Sequence, residues 1–154
     1  MQTKGEQMSK QKVLFICVHN SARSQMAAAL FNKACGEFFE AQSAGFEPGT
    51  INPLAVEVLQ EVGIDISKNT TQRVLDAWTS GQIFQFVVTV CSEAESEGCP
   101  IFPAVTTRLH WAFDDPAKFT GTHKERLERT RLVRDQIRAK IDSFCEEHCV
   151  AGTA

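Results

Sequence analysis

The sequence has little of what membrane, secreted or nucleic-acid-binding proteins usually carry. No apolar run approaches the roughly 20 residues that a membrane-spanning helix requires. The N-terminal stretch is polar and contains no apolar segment of the kind that a signal peptide needs. The formal net charge is only −3 over 154 residues, so neither sign is in large excess. These absences exclude no fold, but they predict a protein of the cytoplasm without a nucleic-acid or membrane partner.

Internal repeats, low-complexity segments and linkers are also missing. With 43% apolar and 23% charged residues, the composition is that of an ordinary globular protein with enough apolar residues for a core. We therefore expect a disordered leader over 1–11, a single folded domain over 12–148 and a short tail over 149–154.

Apolar runs and helix-like stretches alternate along the chain. Continuous or β-branched apolar runs predict strands at 13–18, 38–44, 86–90 and 107–111. Apolar residues at helical spacing predict helices at 24–34, 53–62, 71–79 and 122–148. This alternation predicts an α/β, doubly wound domain in which helices cover both faces of a parallel sheet.

The long predicted helix at 122–148 has one apolar face and one basic face. A nucleic-acid surface is one interpretation of the basic residues between Lys124 and Lys140. Acidic residues are interspersed among them, at Glu125, Glu128 and Asp135. We therefore favour a solvated helix face with ion pairs.

Six cysteines are many for a protein of this size, and they are Cys17, Cys35, Cys91, Cys99, Cys145 and Cys149. An even number would suggest a disulfide framework in a secreted protein, but no export signal is present. Reactive thiols are therefore expected among them, whereas Cys35 is interpreted as a small buried apolar side chain. Cys17 and Cys91 each lie at or just beyond the carboxyl end of a predicted strand, and the carboxyl ends of parallel strands share one edge, where sites lie.

The segment from Cys17 to Ser24 lies between a buried strand and a helix. Five residues separate Cys17 from Arg23, enough for the backbone to curl around a tetrahedral anion with its N–H groups pointing inward. Arg23 can then grip two anion oxygens. Ser24 can donate a hydrogen bond to the Cys17 sulfur, and Asn20 can hold the loop in shape.

The predicted oxyanion site thus has Cys17 as its nucleophile. Its binding residues are His19, Asn20, Ser21, Ala22, Arg23 and Ser24. The alternative is a buried cysteine that a chance arginine follows, and the flanking strand and helix argue against it.

This segment resembles the phosphate-binding loop of the low-molecular-weight protein tyrosine phosphatases and of the thioredoxin-coupled arsenate reductases that share their fold. The resemblance continues through Ser43–Gly45, Asn52–Pro53, Gly63–Ser67 and His110–Pro116, and covers nearly the whole chain from Val13. It implies a four-stranded parallel sheet in the order 2-1-3-4.

A carboxylic acid next to a proline is the second expected catalytic group. A thiolate that attacks an oxyanion must expel an oxygen, which leaves poorly unless an acid protonates it. By resemblance this general acid is Asp115, directly before Pro116, and Asp114 only supports the loop. An ordinary Asp-Pro turn is the alternative.

Cys17, Arg23 and Asp115 occur in both families, so other features must separate a reductase from a phosphatase. Cys91 and Cys99 flank a polar, acidic stretch and resemble the redox pair of the arsenate reductases. The chain also contains no tyrosine. The phosphatases usually carry aromatic residues directly after the Asp-Pro pair, where this sequence has Ala117 and Lys118.

The resemblance implies a thiol relay that reduces arsenate to arsenite. Cys17 attacks arsenate, Cys91 then forms a disulfide with Cys17, and Cys99 finally forms a disulfide with Cys91. Thioredoxin or a similar thiol reductant restores the thiols, and no cofactor is expected. A low-molecular-weight phosphatase is the alternative function, and for the cysteine pair the alternatives are a zinc pair or two unrelated thiols.

A thiol-based metalloid sensor or binding module is a more remote alternative. Cys145, His148 and Cys149 share one face of the last predicted helix and could bind a metal or trivalent arsenic, but helix packing is the explanation that we favour. Some relatives bind potassium through acidic side chains at two positions where this chain has Ala28 and Gln72, so no metal site is predicted. Val18, His19 and Ala22 also depart from the loop of some arsenate reductases.

Overall fold

Four parallel strands form the centre of the structure, a computed structural model that describes residues 10–92 and 106–153. They are β1 (Gln11–Cys17), β2 (Phe39–Gly45), β3 (Phe86–Thr89) and β4 (Thr107–His110). The sheet has the order β2-β1-β3-β4, with Ile16 of β1 aligned with Ala44 of β2 and Thr89 of β3. The predicted fold class and strand order are thereby confirmed.

Helices connect and cover these strands. They are α1 (Arg23–Cys35), α2 (Pro53–Gln60), α3 (Val74–Thr79) and α4 (His123–Thr153), with a 3₁₀ turn at Pro116–Lys118. α4 continues beyond the predicted end at His148. The start of α2 follows from its sequence, because the Asn52 side chain accepts a hydrogen bond from the Leu54 N–H at 2.9 Å and Pro53 occupies the first turn. Among the described residues, no helix is both long and apolar enough to cross a membrane.

β1 is buried on both faces, which explains its continuous apolar sequence. Val13 and Phe15 belong to the large core that α1, α2 and α4 cover. Leu14 and Ile16 belong to a smaller core on the opposite face, which α3 covers. Successive side chains of a strand point to opposite faces, so a central parallel strand must be apolar throughout.

Aromatic rings fill the large core. The Phe31 ring on α1 has its centroid 5.5 Å from those of Phe15, Phe39 and Phe144. The apolar face predicted for the last helix is buried against this cluster through Val133, Ile137, Ile141 and Phe144. Packing of α1 and α4 on one face of the sheet therefore builds most of the core.

Part of the basic face of α4 is neutralised by Glu61, the residue directly after α2. The Arg131 guanidinium donates two hydrogen bonds to the Glu61 carboxylate, at 2.8 and 2.7 Å, and Arg134 donates a third at 2.8 Å. These arginines, Arg131 first, lower the pKa of Glu61 from 4.5 to about 2 despite an opposing desolvation effect. Charged side chains on this face of α4 thus form ion pairs with the residue that follows α2.

A disulfide joins Cys35, the last residue of α1, to Cys145 of α4. The sequence interpretation of Cys35 as a small buried apolar side chain is therefore incomplete. The residue is buried, with 1% exposure, but it is also cross-linked. The two cysteines are 110 residues apart, and only the packing of α1 against α4 brings them together.

Candidate active site

A short loop connects the carboxyl end of β1 to the first turn of α1, as the sequence predicted. The loop turns sharply at Asn20, whose φ of 55° lies in the left-handed region that asparagine tolerates better than most residues. The Asn20 side chain is fully buried. This turn carries the chain from the buried Cys17 to Arg23, where the helix begins.

The Cys17 sulfur is surrounded by hydrogen-bond donors. The Ser24 hydroxyl oxygen lies 2.9 Å from it, and the Asn20 main-chain N–H donates to it at 3.2 Å. The Asn20 side-chain amide donates to the same Ser24 oxygen at 2.8 Å. Since that oxygen already accepts a hydrogen bond, the hydroxyl proton is available for the sulfur. The predicted contacts of Ser24 and Asn20 are present, and together they stabilise a negatively charged sulfur.

Gln72 fixes the orientation of this network, and the sequence analysis missed it. Its main-chain N–H donates to the Asn20 side-chain oxygen at 3.0 Å, so the Asn20 amide nitrogen must face Ser24. The Gln72 side-chain amide donates to the Ser43 carbonyl at 3.0 Å. The Gln72 main-chain carbonyl accepts from the Gly45 N–H at 2.9 Å. The sequence analysis considered Gln72 only because some relatives have an acidic side chain at this position. Its place within the region that resembles the family was the signal that could have indicated a role.

Gly45 allows the loop to lie directly against the end of β2. A Cβ at this position would lie 2.7 Å from both the Asn20 nitrogen and the Val18 carbonyl oxygen. The close approach also allows a main-chain hydrogen bond, in which the Glu47 N–H donates to the Val18 carbonyl at 2.7 Å. Any other residue here would push the loop away from its support.

Arg23 and Asp115 meet at the mouth of the loop. The Arg23 guanidinium lies 3.3 Å from an Asp115 carboxylate oxygen, with side-chain exposures of only 3% and 10%. Arg23 also donates to the Phe113 carbonyl at 3.4 Å. The other Asp115 oxygen accepts from the Ala117 N–H at 3.0 Å, which anchors the carboxylate at the start of the 3₁₀ turn. Asp114 is exposed.

The remaining predicted loop residues lie around this centre. His19 is exposed at the outer lip, and its Nδ1 bonds the Glu47 carbonyl at 2.9 Å. A carbonyl oxygen only accepts, so Nδ1 carries the proton. The Ser21 carbonyl accepts from the Asn52 N–H at 2.9 Å, and the Ala22 carbonyl accepts from the Met26 N–H at 2.8 Å. Ser21 and Ala22 therefore support the loop through their main-chain carbonyls.

Cys91 lies just beyond the end of β3, the strand next to β1. It is fully buried in the same apolar core as Cys17. The main chains of the two strands still run side by side there, with the Val90 N–H donating to the Ile16 carbonyl at 2.8 Å. The structure therefore brings both cysteines to the same edge of the sheet, as the sequence predicted. Cys99 lies outside the described residues.

Cys145 and His148 of the last helix both contact neighbouring side chains. Cys145 is bonded to Cys35, and the His148 ring stacks on Phe144 with centroids 3.9 Å apart. The Cys149 side chain lies outside the description. Within residues 10–92 and 106–153, no group of three or more His, Cys, Asp and Glu side chains is arranged to hold a metal ion.

The site therefore combines a buried sulfur that accepts hydrogen bonds, a buried guanidinium and a carboxylate. A guanidinium can bind the oxygens of a tetrahedral oxyanion, and a carboxylic acid can protonate one of them. This arrangement suits nucleophilic attack by a thiolate with a proton donor for the departing oxygen.

Residues 12–148 match the family model described as low molecular weight phosphotyrosine protein phosphatase, and the chain belongs to this family. The curated relatives within it are more specific. An arsenate reductase of Shouchella clausii is 44% identical over 140 residues, which are 90% of this chain and 98% of that protein. An arsenate reductase of Bacillus subtilis is 39% identical over 139 residues, again 90% and 98% of the two chains.

Solved structures show the same two groups of relatives. A structure described as an arsenate reductase in the phosphate binding state has a TM-score of 0.71 and 26% identity, covering 89% of this chain and 98% of that one. A thioredoxin-dependent arsenate reductase of Corynebacterium glutamicum has a TM-score of 0.61 and 30% identity, covering 90% of this chain and 66% of that one. A low molecular weight protein tyrosine phosphatase from T. tengcongensis has a TM-score of 0.69 and 25% identity, covering 90% and 99%.

Proposed function

We propose that this protein reduces arsenate to arsenite by a relay of three cysteine thiols, and that a thioredoxin-type dithiol in the cytoplasm restores them. The proposal assigns catalytic roles to Cys17, Arg23, Asp115, Cys91 and Cys99. The loop residues His19, Asn20, Ser21, Ala22, Arg23 and Ser24 form the oxyanion-binding site, within a catalytic domain that spans 12–148.

The first step is attack of the Cys17 thiolate on arsenic. Arg23 neutralises the arsenate oxygens, and the hydrogen bonds from Ser24 and Asn20 hold the sulfur in place. One As–O bond breaks while the S–As bond forms. Asp115, 3.3 Å from Arg23, protonates the departing oxygen so that it leaves as water.

The second step transfers two electrons to arsenic. The Cys91 thiolate attacks the Cys17 sulfur, and the electron pair of the S–As bond stays on arsenic. Arsenic leaves as arsenite, reduced from the +5 to the +3 state, and a Cys17–Cys91 disulfide remains. Cys99 then attacks the Cys91 sulfur, which frees Cys17 and produces a Cys91–Cys99 disulfide for the external dithiol to reduce.

The observation that carries this proposal over simple hydrolysis is the second buried cysteine at the edge of the sheet. A phosphatase recycles its nucleophile with water and has no use for a thiol there. Cys91 follows the strand adjacent to that of Cys17 and shares its core. The curated relatives at about 40% identity carry the same activity in their names.

The test is an arsenate-dependent NADPH oxidation assay with thioredoxin and thioredoxin reductase. Wild-type protein should turn over repeatedly. Cys99→Ser should release about one arsenite per protein molecule and then stop, with Cys17 and Cys91 joined in a disulfide that mass spectrometry of the alkylated protein detects. Repeated turnover by Cys99→Ser at the wild-type rate would contradict the relay.

Hydrolysis of aryl phosphates is the second candidate activity. The family match and the T. tengcongensis structure favour it. An aryl phosphatase assay on wild-type protein and on Cys91→Ser separates the two functions. Efficient hydrolysis that survives Cys91→Ser, without arsenate-dependent NADPH oxidation in the wild type, would make the protein a phosphatase.

A further inference from the structure

Two cysteines outside the proposed relay meet where α4 packs against the end of α1 that is opposite the active-site loop. Cys35 is the last residue of α1, and Cys145 lies on α4. Their Cα atoms are 6.0 Å apart, within the range of about 4.4–6.8 Å that a disulfide requires. No movement of the backbone is needed for their sulfurs to bond.

We propose that Cys35 and Cys145 are a second, reversible redox site, which a small disulfide such as glutathione disulfide oxidises to a cross-link between α1 and α4. This site is independent of the proposed arsenate reduction. Neither cysteine takes part in the relay, and neither lies near the Cys17 loop in the sequence. The cross-link changes how firmly the C-terminal helix is held to the rest of the domain.

The surroundings of the pair define how the oxidation proceeds. Cys35 is 1% exposed, whereas Cys145 is partly exposed. Cys145 is therefore the sulfur that a small oxidant reaches first.

The chemistry is two successive thiol–disulfide exchanges. The Cys145 thiolate attacks one sulfur of glutathione disulfide, forms a mixed disulfide and releases one glutathione thiolate. The Cys35 thiolate then attacks the Cys145 sulfur and releases the second. Two electrons pass from the protein dithiol to the oxidant, and the two cysteine protons end on two glutathione molecules.

The cross-link has a predictable effect on stability. It closes a loop of 110 residues and joins two helices whose contact forms much of the large core. Cross-links that close long loops restrict the unfolded chain most. For a domain of this size, oxidation of the pair should raise the melting temperature by about 5–15 °C.

The test uses full-length protein in which Cys17, Cys91 and Cys99 are serine, so that the relay cysteines cannot contribute. The protein is equilibrated with glutathione disulfide or with dithiothreitol, alkylated, digested with trypsin and analysed by mass spectrometry. Trypsin releases Cys35 in peptide 34–68 and Cys145 in peptide 141–154, which also contains Cys149. The matched variants Cys145→Ser and Cys149→Ser therefore identify the partner of Cys35.

The expected result is a 34–68/141–154 cross-link after oxidation, lost in Cys145→Ser and kept in Cys149→Ser. The rise in melting temperature should follow the same pattern. The proposal is overturned if Cys35 remains open to alkylation after oxidation, if Cys149 and not Cys145 is its partner, or if the cross-linked protein melts at the same temperature as the reduced one. The cross-link is first mapped in the protein that retains both Cys35 and Cys145. This measurement decides the proposal even if Cys145→Ser folds poorly.

Discussion

Hydrogen bonds between polar groups hold the N-terminal end of α1, whereas apolar contacts and a disulfide hold its C-terminal end. At the first end, the fully buried Ser24 and Asn20 contact the Cys17 sulfur, and the nearly buried Arg23 pairs with Asp115. At the other end, Phe31 packs among aromatic rings and Cys35 is bonded to α4. One helix thus connects a polar, charged end to an apolar, cross-linked end.

The difference between the ends separates catalysis from stability. Buried polar groups gain little net stability over hydrogen bonding to water, but they keep a loop in one conformation. Buried aromatic rings contribute most of the stability and carry no chemistry. Substitutions at the loop end should therefore change activity with little effect on folding, and substitutions at the core end should do the reverse.

The largest effect is expected for Cys17→Ser. A serine hydroxyl is a far weaker nucleophile than a thiolate, so arsenate reduction should fall by more than about 1000-fold. The melting temperature should stay within about 3 °C of the wild-type value, because the substitution keeps the size of the side chain. Activity above a tenth of wild type would mean that another thiol begins the reaction.

Phe31→Ala tests the other end of the helix. Loss of a ring that is completely buried among three other rings should lower the free energy of unfolding by about 3–5 kcal/mol. Activity per folded molecule should be within about twofold of wild type. Urea unfolding measures the first quantity, and Phe38→Ala, at a position 40% exposed, is the control with an expected loss of about 0.5 kcal/mol or less.

Asp115→Asn tests the loop end again, and its main effect should be on turnover. The amide cannot protonate the departing oxygen, so turnover should fall by about 100-fold or more. Arsenate binding should weaken far less, since Arg23 remains. Asp114→Asn, at the exposed neighbouring position, should keep most of the activity. Equal losses in the two variants would refute the assignment of Asp115 as the acid.

Gln72→Ala sharpens the comparison, because this residue contacts neither sulfur nor substrate. The variant loses the side-chain bond to the Ser43 carbonyl but keeps the main-chain bond to Asn20. A looser Asn20 should reduce the turnover number by about three- to tenfold, with the apparent affinity for arsenate nearly unchanged. Restoration by Gln72→Glu would argue against this role, since a carboxylate cannot donate to that carbonyl.

Glu61→Gln should have the smallest effect, and only on stability. Arg131 and Arg134 hold the pKa of Glu61 near 2, below its value of 4.5 in the unfolded chain. The folded carboxylate therefore stabilises the protein above about pH 4.5, and this contribution disappears as the pH falls towards 2. Glu61 and Arg131 are both partly exposed, so the difference between variant and wild type should be below about 1 kcal/mol at pH 7 and should shrink as the pH falls from 4.5 through 2. Unfolding curves across this range, with the exposed Glu146→Gln as control, provide the measurement.

Most of the fold was predictable because its signals are local. The alternation of buried strands and amphipathic helices is visible in Val13–Val18 and again in Phe86–Val90. The cap at Asn52 and the proline after it mark the start of α2. Only the strand order required the family resemblance, since nothing local in a strand records its neighbours.

The site was predictable where one segment contains it. Cys17, Asn20, Arg23 and Ser24 are neighbours in the sequence, and the contacts of Ser24 with Cys17 and Asn20 lie within this one loop. Gln72 escaped prediction because its contribution is a main-chain N–H, which every residue except proline has. Its identity alone therefore carries no signal of this role.

The sequence by itself determined the loop from Cys17 to Ser24, the order of strands and helices along the chain, and the second cysteine after β3. These depend on neighbouring residues and on the period of apolar side chains. The tertiary structure decided that Gln72 orients Asn20, that Arg23 meets Asp115, and that Cys35 bonds to Cys145 across 110 residues. Such contacts join distant segments, and only the packing of helices on the sheet determines which distant residues meet.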